Sequence, residues 1–177
     1  MIQKDIKDEY IVTHSGRRFY PFDPTKSEVH IEDIAHHLSN ICRFTGAVKY
    51  HYSVAQHSLI VSQLLPVGWR LHGLMHDAEE YVTNDLAKPV KMGLADYLSC
   101  AGKIKERIYQ RFCLSWPDPD FVHEMDQRVY ATGAKDLLRE RQTCEFDAIL
   151  GLRVRRWRPE TAEREFLRQF YKLGGDR

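Results

Sequence analysis

His76 and Asp77 stand side by side between Leu74, Met75 and Ala78, in the stretch LHGLMHDAEEYVTNDLAKPVK that runs over residues 71–91. Such apolar neighbours draw a helix into a core, where a carboxylate is rarely taken without a partner that offsets its desolvation. A divalent metal ion is such a partner. Glu79, Glu80 and Asp85 follow closely, and Lys88 and Lys91 close the stretch around Pro89. Metal ligands, proton-transfer groups and cations for a phosphate are thus crowded into one short segment.

Further ligands must come from other elements. Ile31, Ile34, Ala35, Leu38 and Ile41 repeat at helical spacing after Thr25-Lys-Ser-Glu28, which has the form of a capping box, so a helix is expected to about residue 43. Ser53 can cap a second helix over 54–65, which Pro66 ends. Val54, His57, Val61 and Leu64 or Leu65 fall on one stripe of it, so His57 faces inward. A third helix, 69–81, carries the His-Asp pair, and a loop leads to Pro89. Residues 94–112 read as a fourth. A fifth begins at Asp118 or Asp120, and Asp126 lies beside its buried stripe of Val122, Val129 and Leu137. Arg158-Pro159-Glu160 opens a last helix to about residue 173.

The fold expected is therefore all-α: a helical bundle with a small N-terminal β-hairpin from the β-branched and aromatic residues around His14-Ser-Gly16. It is read as one domain over 1–177, with a hairpin appendage at 1–24, a core at 25–142 and a helical C-terminal extension at 143–177. In such a bundle His57, His76, Asp77 and Asp126 can converge. Spacing alone leaves Asp118, Asp120 and Asp136 in competition with Asp126. Two imidazoles and two carboxylates suit one divalent ion of the Mn²⁺, Co²⁺, Fe²⁺, Ni²⁺ or Zn²⁺ type, with Mg²⁺ also admissible. Four protein ligands on a six-coordinate ion leave room for water and a phosphate oxygen.

The pattern H…HD…D resembles the HD superfamily of metal-dependent phosphohydrolases. The strings YSVAQHS at 52–58 and HDAEEYVTNDLAKPVK at 76–91 are similar to those of bacterial 5′-deoxynucleotidases and of small phage dATP triphosphohydrolases. The resemblance implies an HD-domain fold in which His57, His76, Asp77 and Asp126 bind one metal. It also implies that Glu80 and Asp85 act on the water or the leaving group, that Lys91 lies near the phosphate, and that Arg43-Phe44 lines the sugar and phosphate pocket. Phe44 stands where that branch has a tryptophan, which keeps an aromatic wall and loses an indole N–H. The expected substrate is a nucleotide, most simply a deoxyribonucleoside 5′-monophosphate; a dNTP triphosphohydrolase is the alternative. A nucleotide-binding regulatory module with a purely structural site would lack a ligand or a base, and none is missing.

The residues support the same chemistry without the resemblance. A phosphate ester needs charge neutralised on its oxygens, a nucleophilic water and a proton for the leaving alkoxide. In a continuous helix Glu80 lies one turn after His76, on the same face.

Other patterns carry less. His72 and His76 have the i, i+4 spacing of a zinc protease, but Gly73 replaces its glutamate. His36, His37 and His51 read as surface or supporting groups, and His123 as one that can turn toward Asp126. Arg153, Arg155, Arg156 and Arg158 read as a solvated face or subunit contact, while Arg17 and Arg18 are cations on which a polyphosphate pocket could draw.

The formal net charge of +1 gives no field that recruits nucleic acid or an anionic membrane, and no apolar run is long enough to span a bilayer. Residues 1–10 are charged rather than signal-like, and four scattered cysteines form no zinc knuckle or disulfide framework, so a cytoplasmic location is expected. A homodimer or higher homo-oligomer is the default expectation for a helical domain with an apolar terminal helix.

Overall fold

The helical periodicity read from the chain becomes a set of packed helices in the computed structural model, which describes residues 5–140 and 142–175. A two-stranded antiparallel sheet comes first: β1 (Ile11–Val12) pairs with β2 (Arg18–Phe19), Ile11 opposite Phe19 and Val12 opposite Arg18. Helices follow as α1 (Ile31–Asn40), α2 (Val54–Leu64), α3 (Arg70–Met75), α4 (Glu80–Thr83), α5 (Lys88–Lys91), α6 (Ala95–Arg111), α7 (Asp120–Leu137) and α8 (Pro159–Lys172). The described residues are thus mostly helical, and no helix among them is long and apolar enough to cross a membrane.

The hairpin is fastened to α1 by one carboxylate. Asp33 accepts hydrogen bonds from Thr13 Oγ1 at 2.9 Å and from Ser15 N and Oγ, both at 2.7 Å. Gly16, at φ +82°, allows the tight turn between the strands, and Phe19 is driven fully into the core. That core joins Ile34 and Leu38 of α1, Val54 and Leu59 of α2, Leu74 and Met75 of α3, Ile104 and Ile108 of α6, and Phe166 and Phe170 of α8. Helix α2 is the hub, packed on α1, α3, α7 and α8.

Two expectations need correcting, and a choice between two helix starts is decided. The 25–28 segment does not cap α1. Pro24–Lys26 forms a separate 3₁₀ turn, and α1 starts at Ile31 after His30, which makes no side-chain cap. Of the two starts weighed for α7, Asp120 is the one observed; Pro119 occupies the cap position, and Asp118 is engaged elsewhere. Finally, residues 69–81 are not one helix. Winding tightens after Met75, where Ala78, Glu80, Tyr81 and Val82 donate to the carbonyls three residues back. In 3₁₀ winding, positions i and i+3 eclipse. Glu80 therefore lies in line with Asp77, and Glu79 in line with His76. By contrast, Ser53 caps α2 as expected, accepting from Gln56 N at 3.1 Å.

Gly73 sets how closely α3 approaches α2. A Cβ there would lie 2.4 Å from Leu65 Cδ1 and 3.1 Å from Ser62 Cα. Because α2 carries His57 and the end of α3 carries His76, a Gly73→Ala protein is expected to lose about 1–3 kcal/mol of stability by overpacking. At about 2–4 °C per kcal/mol for a chain of this size, differential scanning calorimetry should show the lowered melting temperature, and the metal affinity should fall with it.

Candidate metal centre

Three elements bring four ligand atoms to a common point. His57 projects from the first turns of α2, His76 and Asp77 from the tight turn after α3, and Asp126 from the second turn of α7. Their ligand atoms all lie within 4.8 Å of one another, with both histidines buried, so the four form a group that could hold a metal ion. His57 Nε2 lies 2.8 Å from Asp126 Oδ1 and 4.0 Å from Asp77 Oδ2. His76 Nε2 lies 3.1 Å from Asp77 Oδ2 and 3.5 Å from Asp126 Oδ1.

The hydrogen bonds behind these atoms decide what they can do. His76 Nδ1 lies 2.9 Å from the Gly73 carbonyl, which can only accept, so Nδ1 carries the proton and Nε2 presents a lone pair to the two carboxylates. Nε2 is buried with no hydrogen-bond partner of acceptable geometry. A lone pair facing two carboxylates is an arrangement that a cation between them turns from repulsive to attractive, so the residues fit a divalent ion.

His57 Nδ1 faces Tyr52 Oη at 3.3 Å, which accepts when Nδ1 is protonated and leaves Nε2 free. Gln127 Nε2 donates at 2.9 Å to Asp126 Oδ2, the oxygen turned away from His57 and His76, whereas Arg43 Nη1 donates at 3.0 Å to Asp77 Oδ2, the oxygen that faces them. A Tyr52→Phe protein should therefore keep its fold and lose about 10–100-fold in metal affinity, measurable by titration calorimetry.

Electrostatics agree with this picture. Burial, helped by Arg43, pulls His57 down to about 4, so it is neutral as a ligand must be. At His76 burial acts the same way, but Asp77 and Asp126 outweigh it and raise the imidazole: a second proton, on Nε2, supplies the positive charge between the two carboxylates that a bound cation would supply in its place. Asp77 and Asp126 are depressed despite burial, Asp77 by His76 and Arg43, Asp126 by its hydrogen-bond contact with His57 and by the nearby His76.

A cavity of about 1010 Å³ opens from this group. Glu80, Asp85, Lys91, Arg43 and Phe44, the other residues singled out by sequence, all line it. Glu80 is 3% exposed with Oε2 unpartnered, and Lys91 Nζ lies 3.5 Å from its Oε1. Burial, reinforced by Asp77 and Asp85, pushes the Glu80 carboxyl well up; burial also raises Asp85, with Arg43 opposing. Phe44 is held at φ 55°, uncommon for a bulky residue, by stacking on Tyr130 with ring centres 5.0 Å apart.

The competitors of Asp126 are placed elsewhere. Asp118 accepts from Tyr109 and lies 3.0 Å from His72 Nδ1, while Asp136 binds Arg153 and the Val154 amide. Asp120 lines a separate shallow groove with Phe121 and His123. His123 is 3.9 Å from Asp126 Oδ2 and largely solvated, so it turns toward the group from outside. Arg17 and Arg18 do not reach the cavity; Arg17 faces Glu28, and Arg18 lies over the Tyr10 ring. Tyr52, Gln127, the Gly73 carbonyl and Lys105 are contributions that sequence reasoning missed, and Glu79, noted there, had been given no role of its own. Tyr52 meets His57 across an N-cap at a spacing of five, which no helical or strand period marks.

No protein-family model matches the chain. It is, however, 40% identical over 128 residues to Uncharacterized protein YfdR of Escherichia coli (strain K12), across 72% of each sequence. The chain belongs to the YfdR family. A further relative of the YfdR-family chain is Uncharacterized protein RCAP_rcc00048 of Rhodobacter capsulatus, 41% identical over 110 residues and 56% of each sequence.

Proposed function

We propose that this YfdR-family chain is a metal-dependent phosphohydrolase with an HD-domain fold, acting on nucleotides and most simply removing phosphate from deoxyribonucleoside 5′-monophosphates. One observation carries the reading: two neutralisable imidazoles and two oriented carboxylates converge within 4.8 Å at the wall of a cavity that also holds Glu80, Asp85, Lys91 and Arg43. A divalent ion bound by His57, His76, Asp77 and Asp126 would polarise the phosphate and acidify a water molecule. The chain's own residues do the rest.

Glu80, the more deeply buried of the two cavity carboxyls and the one pushed well above the ordinary carboxyl range, donates its proton to the ester oxygen as the P–O bond breaks. Asp85 takes the proton of the attacking water as its oxygen bonds to phosphorus. Lys91 faces the charge that develops on the phosphoryl oxygens. Arg43 keeps Asp77 aimed at the centre, and the Phe44–Tyr130 stack walls the sugar side.

A second reading, release of triphosphate from a dNTP, is favoured by the size of the cavity and by the cations Arg43, Lys88 and Lys91 that line it. Product analysis separates the two. Inorganic phosphate from dAMP supports the first, and intact triphosphate from dATP supports the second. The proposal extends to a cytoplasmic location, where such nucleotides are found, and to pairing of two copies, which light scattering on the purified protein would read directly.

A further inference from the structure

The cavity has a second polar end that the phosphate chemistry leaves unused. Lys105 of α6, Glu79 and Trp116 line it together with the metal group. The Lys105 ammonium is fixed in place, 3.1 Å from Asp118 Oδ2 and over the rings of Tyr109 and Trp116 at 5.5 and 5.2 Å. Asp118 is itself anchored, accepting from Tyr109 Oη at 2.9 and 2.8 Å. One carboxylate contact leaves N–H donors of Lys105 for another acceptor. Glu79 is 8% exposed, and its Oε2 has no hydrogen-bond partner, a costly state for a carboxylate unless a ligand supplies the donor. The tight turn after α3 puts Glu79 in line with His76, on the cavity side. Trp116 is 45% exposed, packed edge-on against Tyr109 with ring centres 5.5 Å apart, so its indole is a braced aromatic surface.

A carboxylate acceptor, an ammonium donor and an aromatic face at one end of a cavity form a set that suits a heterocycle. A phosphate is the rival ligand for Lys105, but Asp118 and Glu79 beside it repel an anion. We propose that Glu79, Lys105 and Trp116 bind the nucleobase of the substrate: the base stacks on Trp116, its edge N–H groups donate to Glu79, and an adjacent carbonyl accepts from Lys105. Guanine fits this set best. Its N1–H and N2 amino group present two donors to one carboxylate, with O6 alongside for the ammonium. Thymine and uracil offer one ring N–H, and adenine and cytosine offer an amino group beside a bare ring nitrogen.

This assignment rests on the nucleotide reading above, and nucleosides without phosphate test it separately. Deoxyguanosine and deoxyinosine differ only in the N2 amino group. NMR titration of the wild-type protein should give deoxyguanosine an affinity about tenfold higher. Glu79→Gln should erase that difference while metal content, read by elemental analysis, stays the same. Lys105→Met should weaken both nucleosides about equally.

Equal binding of the two by wild-type protein, no binding of either, or a preference that survives in Glu79→Gln would overturn the assignment; the first comparison needs no variant to fold. Phosphate release from dGMP and dAMP, measured in parallel, separates the two claims. Hydrolysis without base preference sinks the base site alone. A preference for deoxyguanosine with no nucleotide hydrolysed supports the base site and sinks the hydrolase.

Discussion

An Asp77→Asn protein is expected to bind no divalent metal and to release no phosphate from any nucleotide. Asp77 Oδ2 is shared among three groups: Arg43 Nη1 at 3.0 Å, His76 Nε2 at 3.1 Å and His57 Nε2 at 4.0 Å. The carboxamide keeps the volume and can still accept from Arg43, but it removes the negative charge that the remaining ligands need beside them. The choice of asparagine matters. Alanine would leave the Arg43 guanidinium, 7% exposed, without its partner, a loss of about 3–5 kcal/mol for a buried pair. Metal-free Asp77→Asn should therefore melt close to metal-free wild type, and Asp77→Ala below both. Saturating metal at about 100 times its dissociation constant should stabilise the wild type by about 2.7 kcal/mol and the asparagine variant not at all. An asparagine variant that retains its metal-induced shift would remove Asp77 from the centre.

Glu80→Gln is expected to lower kcat by on the order of 10²–10⁴ while metal content stays at the wild-type level. The two variants thus separate holding the ion from moving a proton. Glu80 is nearly fully buried, and burial with the neighbouring carboxylates Asp77 and Asp85 raises its carboxyl well above the ordinary value. The sign follows from that direction. A raised carboxyl keeps its proton to higher pH, so a general acid at this position works below its own pKa and fails as pH climbs through it. The wild-type kcat profile should fall on the alkaline side, and Glu80→Gln, which has no proton to lose, should be flat there. A variant with normal turnover, or one that retains the alkaline fall, would take the acid role from Glu80.

The same stretch shows what could be read from the chain and what could not. His57 was legible because helical period places it on the stripe of Val54 and Val61, and the structure buries it completely. The α2 cap at Ser53 was legible for a similar reason, since it rests on contacts a few residues apart. The winding after Met75 was not. A change from four-residue to three-residue turns shifts no hydrophobic residue out of the local pattern strongly enough to mark it in the sequence. That winding matters, because it aligns Glu80 with Asp77 and Glu79 with His76 rather than Glu80 with His76.

Asp126 was one of four candidate aspartates, and only the placement of the other three resolved the choice: Asp118 on Tyr109 and Lys105, Asp136 on Arg153 and Val154, and Asp120 in a separate groove. Tyr52, Gln127 and Lys105 escaped notice because each acts on a residue distant in sequence or outside any helical period. Arg17 and Arg18 show the converse, cations that composition made available to a phosphate and that the fold assigns to the N-terminal hairpin.

Phosphate release from deoxyribonucleoside monophosphates and triphosphates by chelator-treated protein, before and after one divalent ion at a time is restored, tests the central claim most directly. The account predicts no turnover after chelation and recovery with at least one of Mn²⁺, Co²⁺, Fe²⁺, Ni²⁺, Zn²⁺ or Mg²⁺, in proportion to metal bound up to one equivalent. Turnover that survives chelation, or a fully metal-loaded protein that hydrolyses none of these nucleotides, would contradict it.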